Sequence, residues 1–347
     1  MRIVAVQPGP AWSVADCHTG WVEAFRQLGC HVVEFNTHDQ FMFYENAHIR
    51  NGAGDWVTAI EGSESQAVAV SKHLESVLYE AWPDVVFVTY GTQLDPRTFQ
   101  LARERGHVVV MYHTEAPYED DARLKWAEAG VADLWLINDP TNIEQWRQAW
   151  PHVAYLPHSY RPALHKPADV MPRRDVCFVG TGFPSRTAWF RRYFDALGTD
   201  PKVELFGNWT SIPPGHKVGS HVIEGDGFDN PRTTRIYQTS RVGLNLYRKE
   251  ATATADGWAM GPREVEMAAC GLFFLTEERG ENREVLPMLP TFDSPEDCAE
   301  QSRWWLEHPA KREAAAREAR AAIAEWTFEN RARQVLRMLE ELHKTAI

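Results

Sequence analysis

From its first residues the chain alternates short apolar runs with stretches in which apolar side chains recur every three to four positions, the pattern of strands interleaved with amphipathic helices. RIVAV (2–6) is followed by a helical period over roughly 19–28 and by HVVEF (31–35), which predicts a β-α-β opening. A polar loop, Asn51 to Asp55, precedes a helical segment around 64–80. Then come PDVVFVTYG (83–91), a helix through 96–105, HVVVMYH (107–113) and DLWLIND (133–139). These runs are apolar on both faces, as strands of a parallel sheet covered by helices must be.

The period lapses over YLPHSYRPALHKPADVMPRRD (155–175), whose prolines and basic side chains read as a linker. It restarts with DVCFVGTG (175–182), a helix over 185–197, KVELFG (202–207), the helical TTRIYQTS, VGLNLY (242–247), the helix REVEMAAC and GLFFLT (271–276). From Pro309 onward the chain is helical and has no further strand. The expected fold class is α/β, two Rossmann-like doubly wound domains of similar size, at 1–165 and 175–330, with a linker at 166–174. The last stretch, 331–347, is expected to be a helix that returns to the first domain. A length of 347 residues suits two domains, and no repeat of 20–50 residues indicates a solenoid.

Composition narrows the class. With 44% apolar and 12% aromatic residues, a fibrous or disordered chain is excluded. No stretch approaches ~18 uninterrupted apolar residues, and MRIVAVQPGP runs from one basic residue into a strand rather than a signal peptide, so no membrane span and a cytoplasmic location are expected. Cys17, Cys30, Cys177, Cys270 and Cys298 are widely spaced without a C-x-x-C pair, which suggests neither a disulfide frame nor a zinc site. Residues 1–169 carry a balance of −10 and residues 170–347 one of −2. Extended nucleic-acid binding is disfavoured by an acidic half, while clustered arginines in the other half can hold a compact anion.

The chemistry-bearing patches lie mostly in the second half. In PREVEMAACGLFFLT, Glu266 stands five residues before Gly271, on a helix leading into a buried strand. A carboxylate there can accept hydrogen bonds from vicinal sugar hydroxyls, or it is a helix-start acid paired with Arg263. Gly180-Thr181-Gly182 follows a strand and precedes a helix, so its backbone N–H groups can face an anion; a Rossmann fingerprint would need glycine at 185, which is Ser185. Arg186, Arg191 and Arg192 follow, as anion ligands or as solvated helix charges. No D-x-D triplet occurs; Glu224-Gly225-Asp226 comes nearest and suits a turn. In the first half, two places suit a proton acceptor: Asp16 and His18 in the loop after strand one, and Glu115 in HTEAP after HVVVMY. Asp16 is equally an ordinary helix cap.

Together with FVGTGFPSRTAWFRRYFDAL (178–197), IYQTSRVGLNLYR (236–248) and EWTFENRARQVL (325–336), the Glu266 patch resembles the donor domain of GT-B glycosyltransferases, closest to those related to the spore maturation protein CgeB, of the glycosyl transferases group 1 kind. The resemblance covers most of residues 170–345. It implies a nucleotide-sugar donor, UDP- or GDP-linked, on the second domain, an acceptor on the first, a central cleft and no resident metal or cofactor. It places Glu266 on the ribose, Arg186 near the diphosphate, and Gly180, Gly182, Tyr237, Asn245 and Arg263 around the donor. Glu115 matches the family's acid followed by proline, and His158 its hinge. The related E-x7-E pattern wants an acid at Trp258.

The expected activity is therefore metal-independent glycosyl transfer to a hydroxyl of a glycan, protein, small molecule or modified DNA base. A nucleotide-sugar epimerase of the same fold, a non-catalytic nucleotide-sugar-binding protein and, third, an NAD-dependent oxidoreductase are the alternatives. The 14 tryptophans suit ring stacking and core packing alike.

Overall fold

The computed structural model describes residues 1–9, 13–114, 130–141, 143–150, 152–213, 215–224, 229–250 and 257–345. The chain divides into two compact units, Met1–Leu156 with Arg331–Ile347, and Pro157–Asn330.

The first unit runs β1 (Arg2–Val6), α1 (Ser13–Gln27), β2 (His31–Phe35), α2 (Thr37–Glu45), β3 (His48–Arg50), β4 (Trp56–Thr58), α3 (Ser63–Ala81), β5 (Val85–Thr89), α4 (Pro96–Glu104), β6 (Val108–His113), β7 (Leu134–Ile137), α5 (Ile143–Ala149) and β8 (Val153–Tyr155). Its six-stranded parallel sheet has the order β2-β1-β5-β6-β7-β8. Alternation along each strand divides the core into two layers. Val86 and Val88 of β5 pack with Leu74, Leu78 and Phe99, while Phe87 between them meets Trp21 and Phe25 at ring distances of 4.9 and 5.2 Å. Five elements have no sequence signal. The apolar cluster in α2 has no one-sided period, β3 and β4 are three-residue strands of a hairpin, and α5 and β8 are short and adjoin the proline-rich segment.

Two expected site residues change place. Helix α1 begins at Ser13, so Asp16 and His18 lie inside it rather than in the preceding loop. Asp16 sits in the first turn, where a negative charge suits the helix dipole. His18 is 4% exposed, with Nε2 3.6 Å from Glu34 Oε2, and Arg26 Nη2 holds the other Glu34 oxygen at 2.9 Å. Burial lowers its pKa to about 4 against the opposing pull of Glu34. Its burial and low basicity count against His18 as the acceptor's base. Glu115 lies outside the described residues.

The second unit runs β9 (Arg174–Val179), α6 (Pro184–Leu197), β10 (Val203–Phe206), β11 (Val222–Glu224), α7 (Asn230–Gln238), β12 (Ser240–Asn245), α8 (Pro262–Ala269), β13 (Phe274–Thr276), α9 (Gly280–Val285), α10 (Pro295–Glu307) and α11 (Pro309–Ala322). Helix α12 (Phe328–Thr345) begins in this unit and ends in the first. The sheet is parallel with order β11-β10-β9-β12-β13, the doubly wound arrangement, so strand order reverses between β9 and β12.

Helix α8 lies unusually close to this sheet. A Cβ on Gly243 of β12 would stand 2.5 Å from Met267 Sδ, so only glycine fits. Gly271 closes the helix with φ +73°; its N–H donates to Ala268 O and that of Leu272 to Met267 O, both at 3.0 Å, the paired bonds of a Schellman end. The sequence C-G-L is thus a helix stop that feeds directly into β13. At the start of α6, a Cβ on Gly182 would lie 2.2 Å from the Trp209 ring. That ring is 3% exposed and held by its Nε1–H on Phe206 O at 3.0 Å.

Two outcomes are expected. The unfolded chain protonates His18 near its ordinary 6.5 and the folded chain only near 4, so the unfolded state binds more protons between these values. Stability is full above pH 6.5 and falls as pH drops toward 4, by about 2–3 kcal/mol from this residue. Urea melts at pH 7 and 4.5 should show His18→Gln losing less than wild type by that amount; parallel losses would contradict it. Gly182→Ala should destabilise by about 1–3 kcal/mol through overpacking against Trp209, and an unchanged urea midpoint would count against this packing.

Candidate functional site

The carboxyl ends of β9 and β12 flank the point where strand order reverses, the place at which doubly wound sheets bind ligands. Arg186, in the first turn of α6, is 6% exposed and joins the two loops there: Nη1 donates to Thr181 O at 3.1 Å and Nη2 to Leu246 O at 2.7 Å. Its guanidinium also lies 5.5 Å from the Phe178 ring and 5.3 Å from Phe183. Arg263, in the first turn of α8, approaches Phe178 at 5.2 Å and donates from Nη1 to Asn245 Oδ1 at 2.8 Å. Its Nη2 is 3.2 Å from where a Gly180 Cβ would stand. Burial, then the repulsion of Arg263, bring the pKa of Arg186 down to about 9, so the group stays charged at neutral pH. Arg248 lies 4.5 Å from the Phe183 ring and is exposed, and Glu250 places its own carboxylate at the start of α6, accepting the Ser185 N–H at 2.9 Å. Fixed cations around a helix start form a place for an anion.

Beneath this surface is a buried polar network. Glu264 is completely buried and receives four donors: Thr276 Oγ1 at 2.9 Å and Asn282 Nδ2 at 3.1 Å on Oε1, Gly261 N at 2.9 Å and the Tyr247 hydroxyl on Oε2. Burial and the Glu264 charge raise the Tyr247 phenol well above its ordinary range, so it remains a donor. Glu277 accepts the Tyr247 N–H at 2.7 Å and pairs with Lys249 at 2.5 Å. Arg279 covers the Tyr247 ring at 3.6 Å.

Several expected residues have other roles. The N–H groups of Gly180 and Gly182 are donated to Phe206 O and Asn208 O, at 2.9 and 2.8 Å, so the glycines serve close packing rather than an anion cradle. Tyr237 is 2% exposed within the hydrophobic core, and Asn245, equally buried, spends its amide on Arg263 and on Thr276 Oγ1 at 3.1 Å. Arg186 is a clamp between loops. Glu266 is 8% exposed and accepts from Asn230 Nδ2 at 3.1 Å. His158 is buried. Trp258 packs its ring on Gly280, where a Cβ would be 2.0 Å away, and Gly225 and Asp226 lie outside the described residues. Arg191 and Arg192 are exposed, the latter paired with Glu296.

Glu264, Tyr247, Thr276 and Asn282 have no counterpart in the sequence reading. The signal for them is the polar residue that ends each apolar strand run, Asn245 in VGLN and Thr276 in FFLT, with a second acid, Glu264, two positions before Glu266.

The sequence model of the glycosyl transferase-like family matches residues 186–337. No curated protein sequence matches the chain. Among solved structures, sucrose-phosphate synthase from Thermosynechococcus elongatus is similar at a TM-score of 0.70 and 13% identity, covering 99% of both chains. The HepE protein of Anabaena in complex with UDP-glucose is similar at 0.65 and 12%, over 98% of this chain and 100% of that one. A UDP-N-acetylglucosamine 2-epimerase homologue from Listeria monocytogenes is similar at 0.63 and 11%, over 99% and 97%. Identities this low establish the fold alone. The chain thus has the GT-B fold along its length, and its residues 186–337 match the sequence model of the glycosyl transferase-like family.

Proposed function

We propose that this chain is a glycosyltransferase that moves a sugar from a UDP- or GDP-linked donor to a hydroxyl acceptor. The observation that carries the reading is the pair of guanidinium groups, Arg186 and Arg263, fixed within 5.5 and 5.2 Å of the same Phe178 ring at the switch point of a glycosyl transferase-like domain. As the bond between the anomeric carbon and the phosphate oxygen breaks, its electron pair passes to the diphosphate. Arg263 stabilises that charge, and Arg186, with Arg248 close enough to act on it, adds to the field. Glu266 would accept hydrogen bonds from the donor ribose.

Fixed arginines and the missing D-x-D triplet favour a reaction without a divalent ion, and the acidic first unit favours a small or neutral acceptor over duplex DNA. Asp16 and Glu115 remain the candidates for taking the acceptor proton; a retaining reaction, with the donor phosphate as proton acceptor, needs neither. The free cysteines among the described residues suit a reducing, cytoplasmic compartment. Likeness to the Listeria epimerase homologue keeps a second reading, epimerisation of a nucleotide sugar, which needs no acceptor at all.

A thermal-shift screen of UDP- and GDP-sugars tests this directly, since a ligand at 100 times its Kd stabilises by ~2.7 kcal/mol. One class should shift the wild type, and Arg263→Ala should weaken its binding by about 1.5–3 kcal/mol. Turnover should survive EDTA. No shift with any donor would overturn the proposal, and rapid conversion of donor without acceptor would establish the epimerase instead.

A further inference from the structure

Arg263 can only donate hydrogen bonds and a carboxylate can only accept them, and between Arg263 and Glu264 the structure holds two groups that can do both. Arg263 Nη1 donates to Asn245 Oδ1 at 2.8 Å. Asn245 is thereby fixed with its Nδ2 toward Thr276 Oγ1, 3.1 Å away, and that hydroxyl, having accepted, donates onward to Glu264 Oε1 at 2.9 Å. Every member except Arg263 is buried: Asn245 is 2% exposed, Thr276 1% and Glu264 0%. The Glu277 carbonyl is a second acceptor for the Thr276 hydroxyl at 3.1 Å, and the nearer, charged Glu264 oxygen is the stronger one. A second arm runs from Glu264 Oε2 to the Tyr247 hydroxyl in the loop after β12, next to Leu246, whose carbonyl Arg186 grips.

We infer that Glu264 is a positioning residue for the anion site: through Thr276 and Asn245 it orients the Arg263 guanidinium so that Nη2, without a hydrogen-bond partner among the described residues, faces the Gly180 turn, ready for a donor phosphate. The inference rests on the nucleotide-sugar reading of that site. Glu264 also caps the start of α8, accepting the Gly261 N–H at 2.9 Å, so its removal costs stability as well. A test must therefore separate orientation from folding.

Calorimetric titration of the full chain with UDP and with GDP provides the measurement. Thr276→Val breaks the relay and leaves the capping carboxylate in place; Thr276→Ser keeps the hydroxyl. With the nucleotide that binds the wild type, Thr276→Val and Glu264→Gln should each weaken Kd by about tenfold, Thr276→Ser should restore it, and neither substitution should weaken binding further once Arg263 is alanine. Should Glu264→Gln not fold, the two Thr276 variants carry the same test. Unchanged Kd in Thr276→Val, or an undiminished loss in the Arg263→Ala background, would overturn the inference while leaving the nucleotide site standing. Binding of neither nucleotide by the folded wild type would overturn the nucleotide reading itself and this inference with it.

Discussion

Taking a guanidinium out of water costs several kcal/mol unless its protons find partners, and the second unit does this with Arg186 at the centre of its sheet edge. The offset comes from two carbonyls, Thr181 O and Leu246 O, and from the faces of Phe178 and Phe183. Those carbonyls belong to the loops after β9 and β12, beyond the strand pairing that runs to Cys177 and Gly243. One buried cation therefore fixes the spacing of the crevice where the strand order reverses. If Arg186 were absent, Thr181 O would lose this guanidinium donor and Leu246 O would keep only the longer 3.4 Å contact to Arg263 Nη1.

A second buried charge, of opposite sign, completes the arrangement on the β13 side. Glu264 holds its place because α8 lies against a strand with no side chain at Gly243, which brings the first turn of the helix within reach of Thr276 and Tyr247. Four donors on one carboxylate make its burial tolerable and leave it rigid. Rigidity matters more here than strength. An arginine that must meet a diphosphate loses affinity for every rotamer it samples, and one already held by Asn245 has less freedom to lose on binding.

The fold was legible where the chemistry of the chain is repetitive. RIVAV, HVVEF and DVCFV announce their strands by β-branched runs, and the doubly wound class follows from alternating periods. It was illegible where elements are short or one-sided period is missing, as in α2 and the β3–β4 hairpin. His18 and Asp16 were misplaced for a local reason: α1 starts six residues before its apolar period becomes regular, so a helical turn looked like loop. The site followed a different rule. The candidate patch on α8 stands out in P-R-E-V-E-M-A-A-C-G, but which of two acids faces which partner depends on rotation about the helix axis, and residues two apart point about 200° apart on it.

Glycines show why motif and mechanism separate. Gly180-Thr181-Gly182 has the position of an anion-binding turn, yet its glycine N–H groups are committed to Phe206 O and Asn208 O, and a Cβ at either residue would press on Phe178 or Trp209. The same steric demand that brings this turn close to the neighbouring loop takes away the donors that made it look like a cradle. What remains for an anion is side-chain charge, carried by Arg263 over the Phe178 ring and by the exposed Arg248 over Phe183. A turn read from glycine spacing alone thus identifies where the backbone must pass closely; what it binds depends on whether the neighbouring strand end has already taken its N–H groups.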